Sequence, residues 1–207
     1  MTGGQLIVEC LVQYGVEVIF GMPGAHTMAI YDALYRHPKI KHILVRHEES
    51  AALMADGYAR ATGRVGVCCV TSGPGVTNAA TGLAVAHGDS IPVLLISSQV
   101  DSEAAKLRRG LFHATDQLML TRPITKWNAR ADIPERIPQA AAEAFRIVTH
   151  GRRGAGHLEV PVNVLQQDVE IGRSKIEVNP ASDSQMRIPN SELQRAVTEL
   201  GKTNGSN

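Results

Sequence analysis

Two glycine-proline turns and one glutamate-bearing segment hold the residue types best suited to chemistry. The turns are Gly21-Met22-Pro23-Gly24 and Gly73-Pro74-Gly75, and between them lies Arg46-His47-Glu48-Glu49-Ser50. Glycine lets the backbone approach a flat ligand, and proline fixes the turn. A carboxylate beside two such turns can exchange a proton with a bound heterocycle. Glu48 or Glu49 at a helix N-terminus equally suits a cap, because a carboxylate there interacts favourably with the helix dipole. Tight strand-to-helix connections use the same turns without binding anything. The local pattern leaves these readings open. Neither turn has the GxGxxG spacing of a dinucleotide fingerprint, and no GxxxxGK[ST] occurs, so nothing local supports a diphosphate cradle.

The elements that must position these residues alternate along the chain. Leu6, Ile7, Cys10, Leu11 and Tyr14 recur at helical spacing over residues 3–14, and Gly15 stops that helix. Short apolar runs at 16–20, 42–45, 65–70, 91–96, 124–129 and 157–160 predict strands. Helical patterns fill 26–36, 49–61, 76–87 and 134–149, and residues 101–116, which carry Arg108, Arg109 and Gly110, predict a long loop. Apolar strands without polar alternation, separated by helices, predict an α/β fold. It has three layers, with a mainly parallel six-stranded sheet and helices on both faces. Both turns and the glutamate then follow strands, at the carboxyl ends where such sheets bind ligands.

Composition excludes several classes of function. The chain has 207 residues, with 21 Lys+Arg interspersed among 20 Asp+Glu, which gives no basic face for nucleic acid. No apolar run approaches the roughly 20 residues that span a bilayer, and the N-terminus lacks a signal-peptide pattern. Cys10 and the adjacent Cys68 and Cys69 read as buried thiols in a reducing cytosol, which predicts a cytoplasmic protein. The histidines show no zinc-ligand spacing, so no metal ligand is expected in this chain. Past residue 168 the composition turns polar through Asn179-Pro180, Ser182, Ser184 and Pro189. A helical pattern restarts at 190–200, with Leu193, Val197 and Leu200 on one face. The expected division is a domain at 1–168, then a linker and the start of a truncated central domain at 169–207.

Taken in order, several segments resemble the pyrimidine-binding domain of thiamine-diphosphate-dependent enzymes of the acetolactate synthase-like and benzaldehyde lyase-like kind. Phe20-Gly21-Met22-Pro23-Gly24 with Ile30-Tyr31-Asp32-Ala33-Leu34 is similar to the family's first turn and helix. Arg46-His47-Glu48 with Ala55-Asp56-Gly57-Tyr58-Ala59-Arg60 is similar to its glutamate segment, and Thr71-Ser72-Gly73-Pro74-Gly75-Val76-Thr77-Asn78 to its GPGxxN turn. Asp89-Ser90-Ile91-Pro92 and Arg122-Pro123-Ile124-Thr125-Lys126-Trp127 follow at familiar spacing, so the resemblance covers residues 3–168. It implies a decarboxylase or carboligase acting on a small 2-oxo acid or aldehyde. Glu48 would hydrogen-bond N1′ of the cofactor's aminopyrimidine, and the cofactor would supply the organic chemistry. Gly24, Ala25, Thr71, Pro74 and Asn78 occupy its cofactor-contacting positions. Asn78 alternatively bonds its own backbone as a turn residue. Glu49 keeps the capping or solvated reading.

The resemblance also has departures. His26 stands where acetolactate synthases carry an aliphatic residue, and it suits a catalytic proton relay or a substrate donor, or else a solvated surface site. Ala25 replaces a glycine, and in Phe112-His113-Ala114 the last two residues replace Gln-Glu, departures that count against acetolactate synthesis itself and leave cofactor activation untouched. Ala25, His26, Phe112 and His113 are therefore the candidate substrate residues. The family's diphosphate and Mg²⁺ are held by a C-terminal domain with a Gly-Asp-Gly motif that this chain lacks, so the chain alone is expected to be inactive. A homodimer or homotetramer is expected of the full enzyme, with no nucleic acid and no membrane as partner. Two other readings compete: a non-catalytic binding or assembly module that kept the fold, and a flavodoxin-like nucleotide binder.

Overall fold

The computed structural model describes residues 1–101 and 111–170. The helical pattern expected at 190–200, with the linker before it, lies outside the described residues. Within them, β1 (Val18–Gly21), β2 (Lys41–Leu44), β3 (Gly66–Val70), β4 (Val93–Gln99), β5 (Trp127–Arg130) and β6 (Gly156–Pro161) form one sheet in the order β2-β1-β3-β4-β6-β5. Every pairing is parallel, as the unalternating apolar runs predict.

Both faces of the sheet are buried, and the period of two along each strand divides the side chains between them. Val67, Cys69, Leu94 and Ile96 enter one core; Cys68, Val70, Val93 and Leu95 enter the other. The first core is closed by α1 (Gly3–Gln13), α2 (Met28–Tyr35) and the helix at Ile137–Thr149, the second by α3 (Glu48–Thr62) and α4 (Pro74–Gly88). The adjacent cysteines thus point to opposite faces, and burial pushes the Cys69 thiol up to about 12, leaving it inert.

Local chemistry sets the helix ends. Thr2 and Gln5 form a capping box on α1. Gly63 at φ 72° closes α3, a left-handed position that favours glycine. The strand expected at 124–129 begins only at Trp127, because Arg122–Ile124 form a 3₁₀ turn in which Pro123 has no N–H for a ladder. A short helix, α5 (Gln117–Thr121), precedes that turn without a matching sequence signal. The expected 134–149 helix starts as a 3₁₀ turn at Pro134–Arg136 and becomes α, as α6, at Ile137–Thr149. A last helix, α7 (Val162–Gln166), follows β6, and residues beyond it return along the N-terminus: Thr2 bridges Asp168, and Val169 N–H donates to the Met1 carbonyl at 2.9 Å.

The sheet order has one consequence for function. From β1 the chain goes outward to β2, then crosses back to place β3 on the other side of β1. Neighbouring strands whose connections leave in opposite directions open a crevice at their carboxyl ends. The two glycine-proline turns follow β1 and β3, so both stand at that crevice.

Candidate active site

The first turn is drawn tight by a residue with no sequence reading attached. Thr27 Oγ1 accepts from the Gly24 N–H at 3.0 Å and donates to the Gly24 carbonyl at 3.1 Å, with its side chain fully buried. A threonine just after a Pro-Gly pair is the available signal, since hydroxyls bond back to nearby backbone in turns. The turn lies directly on the end of β3: a Cβ at Gly24 would stand 2.6 Å from Thr71 Oγ1. Glycine is required there because any side chain would displace Thr71. Beneath it, the Tyr31 hydroxyl donates to the Cys69 carbonyl at 2.8 Å and fills the space above Gly21.

The second turn enters α4 through Gly73, at φ 61° and ψ −108°, followed by Pro74 in the first helical turn. Asn78, one turn along, directs its side chain across to α3. Its Nδ2 donates to Glu48 Oε2 at 3.0 Å. Asn78 therefore does not bond its own backbone as a turn residue. The two helices approach closely because Gly82 of α4 has no side chain: a Cβ there would meet Ala52 Cβ of α3 at 2.5 Å.

Glu48 and Glu49 separate in space. The side-chain cap of α3 is His47, whose Nδ1 accepts from the Glu49 N–H at 3.2 Å. Glu48 turns inward and is buried, whereas Glu49 stays half-exposed in the first turn, where the helix dipole favours it. Glu48 Oε1 takes no hydrogen bond from the described residues and lies 3.6 Å from where a Gly75 Cβ would sit. An uncommitted carboxylate oxygen against a bare glycine face is a place for a ligand donor.

Thr71 adds a second uncommitted group. Its Oγ1 is buried without a hydrogen-bond partner among the described residues, and such a hydroxyl costs stability unless something fills the gap. Gly24, Ala25, Thr71, Pro74, Asn78 and Glu48 thus gather at one crevice, with Ala25 and Pro74 exposed on its rim. This set fits an aminopyrimidine: a flat ring between glycine-lined turns, a carboxylate oxygen for a ring nitrogen, and a hydroxyl for an exocyclic group.

The expected substrate residues stand beside that set. His26 Nδ1 lies 2.8 Å from the Ser72 hydroxyl, and Ser72 is fully buried next to Thr71. Burial first, and then the neighbouring His113, hold the His26 imidazole below its ordinary pKa, which keeps the ring neutral. The His26 ring centroid is 6.3 Å from that of Phe112 and 6.0 Å from that of His113. Phe112 and His113 stack at 3.6 Å, and Phe112 stays exposed. The loop prediction holds for 111–116, with a turn at Phe112 and His113; residues 102–110 lie outside the described residues. His113 adopts φ 66°, a left-handed conformation uncommon for a residue with a side chain.

Behind the loop is a polar cluster that the sequence reading missed. Glu159, fully buried in β6, accepts from Gln99, Gln117 and Arg130. A lone glutamate within the apolar run His157-Leu158-Glu159-Val160 was the available signal, since buried acids are almost always paired. Among the described residues no three of His, Cys, Asp and Glu gather as a metal site, and no helix is long and apolar enough to cross a membrane.

Residues 1–120 match the model for the thiamine pyrophosphate enzyme, N-terminal TPP binding domain. Similar proteins include a probable 2-ketoarginine decarboxylase of Pseudomonas aeruginosa, 44% identical over 82% of this chain and 30% of its own length. An acetolactate synthase of Mycobacterium bovis is 46% identical over 80% of this chain and 26% of its own length. An acetolactate synthase large subunit of Corynebacterium glutamicum is 39% identical over 98% of this chain and 32% of its own. The chain therefore spans about a third or less of the length of these relatives.

Proposed function

Because this chain belongs to the thiamine pyrophosphate enzymes and matches their N-terminal TPP binding domain, we propose that it is the cofactor-activating domain of a 2-oxo acid decarboxylase or carboligase. The observation that carries this reading is Glu48, buried at the crevice with one oxygen held by Asn78 and the other uncommitted. When bound, the cofactor supplies a nucleophilic carbon and an electron sink for the carbon left after CO₂ departs.

The chain's own residues hold and orient. Glu48 presents a carboxylate oxygen to a ring nitrogen and shares a proton there, while Asn78 fixes the carboxylate's orientation. Thr71 Oγ1 gains the partner it lacks, and Gly24 and Pro74 bound the ring. Gly24 and Ala25 line the approach to the reacting carbon. His26, neutral and held by Ser72, accepts or donates a proton on the substrate side, with Phe112 and His113 completing that wall. The presence of Glu48 in this geometry favours catalysis over a non-catalytic assembly module.

In this reading the domain ends near residue 168, and 169–207 lead into a further domain. Diphosphate and Mg²⁺ are held there, outside this chain, and the whole enzyme is a cytoplasmic homodimer or homotetramer. The residues that replace Gln-Glu after Phe112 count against acetolactate synthesis as its reaction.

The test is CO₂ release by the full-length protein from a panel of 2-oxo acids, with added aldehydes for carboligation, beside Glu48→Gln. Cofactor-dependent turnover lost in the variant supports the assignment. Turnover that survives the substitution removes Glu48 from its role. Calorimetry on the 207-residue chain with thiamine diphosphate and Mg²⁺ is expected to show no tight binding.

A further inference from the structure

We propose that Gln117 is a positioning residue which, with Gln99 and the buried Glu159, sets the spacing between the Gly73 turn and the loop carrying Phe112 and His113. The inference rests on the site assignment above and extends it to residues that touch neither cofactor nor substrate.

The amide of Gln117 is fully buried and engaged at both ends. Its Oε1 accepts from the Gly73 N–H at 2.5 Å, and its Nε2 donates to the Ser98 carbonyl at 2.9 Å and to Glu159 Oε2. Gln99 repeats the arrangement toward the loop: its Nε2 donates to the Thr115 carbonyl at 3.0 Å and to the same Glu159 oxygen at 3.1 Å. One carboxylate thus anchors the cofactor-side turn through Gln117 and the substrate-side loop through Gln99. Arg130 Nε holds its other oxygen.

The polarity of the bridge is consistent along its length. An amide that donates to an anion is polarised, which strengthens its carbonyl as an acceptor for Gly73. The turn and loop it joins are in direct contact and conformationally demanding. Gly73 has φ 61°, and a Cβ there would overlap the His113 carbonyl; His113 itself has φ 66°. Conformations of this kind persist only where the surroundings over-determine them, and they gather at functional sites. The bridge provides that constraint on both sides of the contact.

The experiment is hydrogen exchange and steady-state kinetics on the full-length protein carrying Gln117→Met, which keeps the volume and removes the amide. Peptides covering residues 71–78 and 111–116 should exchange at least tenfold faster together, with the β3 and β4 peptides unchanged. The KM for the 2-oxo acid should rise at least fivefold, and the apparent thiamine diphosphate affinity should fall with it, since the segment that loosens carries Thr71, Pro74 and Asn78. A variant that only lowers the melting temperature, leaving turn, loop and KM as in wild type, overturns the proposal. Should Gln117→Met fail to fold, Gln99→Met, which leaves Glu159 its Gln117 and Arg130 partners, is read in its place: faster exchange at 111–116 supports the bridge, and unchanged exchange overturns it. If the wild-type protein turns over no 2-oxo acid, the functional reading falls. The exchange data still decide the bridge: coupled acceleration supports it, and unchanged exchange overturns it.

Discussion

Asn78 on α4 donates its side-chain amide to Glu48 on α3 at 3.0 Å, joining the glutamate-bearing segment to the helix that follows the second glycine-proline turn. Only this inward-facing carboxylate, and not that of Glu49, meets the helix after the second turn. A hydrogen bond to a charged group contributes about 1.5–3 kcal/mol. In the proposed enzyme, Asn78→Ala should therefore lower kcat by about tenfold to a hundredfold, and Asn78→Asp by more, through like-charge repulsion. Single-turnover rates at saturating cofactor check this; an unchanged rate in Asn78→Ala refutes it.

Thr71 separates stability from binding. Its hydroxyl is buried with no partner among the described residues, so Thr71→Val removes an unsatisfied group and keeps the shape. The variant should melt no lower than wild type and gain up to about 1 kcal/mol, while binding cofactor more weakly. Thermal denaturation beside cofactor titration of the full-length protein reads both, and a loss of stability would contradict the assignment.

The closeness of α3 and α4 should be intolerant of side chains. Gly82→Leu forces Ala52 aside and pushes the helices apart, at a cost of roughly 1–3 kcal/mol. The same displacement should lengthen the Asn78–Glu48 bond. Chemical denaturation of Gly82→Leu measures the first effect; a midpoint equal to wild type would show that the contact is slack.

Acid sensitivity should centre on His157. Fully buried between the Ser97 and Thr121 hydroxyls, its imidazole is lowered by desolvation to about 3. In the unfolded chain a histidine takes its proton near pH 6.5, so between that value and about 3 the unfolded state binds more protons. Stability contributed by the neutral ring is present above the unfolded pKa and is lost as pH falls through this window. The slope is at most about 1.4 kcal/mol per pH unit. Burial holds the Glu159 carboxyl above its ordinary range, which acts in the opposite sense, so the comparison is made against His157→Asn. The variant should show a flatter decline in melting temperature from pH 6.5 to 4; parallel curves would exclude His157 as the cause.

The amino-acid sequence by itself determined the alternation of strands and helices, the two-sided burial of the sheet and the glycine-proline turns. These are consequences of periodicity and backbone sterics within short windows, which neighbouring residues encode directly. Its ordered motifs also marked Glu48, His26, Thr71 and Asn78 as candidates. Local pattern had no means of choosing between Glu48 and Glu49, because both suit a helix N-terminus equally well. The ordered motifs made that choice, and the tertiary structure supplies its physical basis: His47 takes the cap, and Glu48 turns inward to meet Asn78. Thr27, Gln99, Gln117 and Glu159 gained meaning only through partners. The β4–β6 pairing, which sets Ser97 opposite Glu159, brings Gln99 and Gln117 onto one carboxylate from distant points in the chain. A side chain's type can be read in one dimension, but the desolvation and the hydrogen bonds that give it a role depend on what the sheet order places beside it.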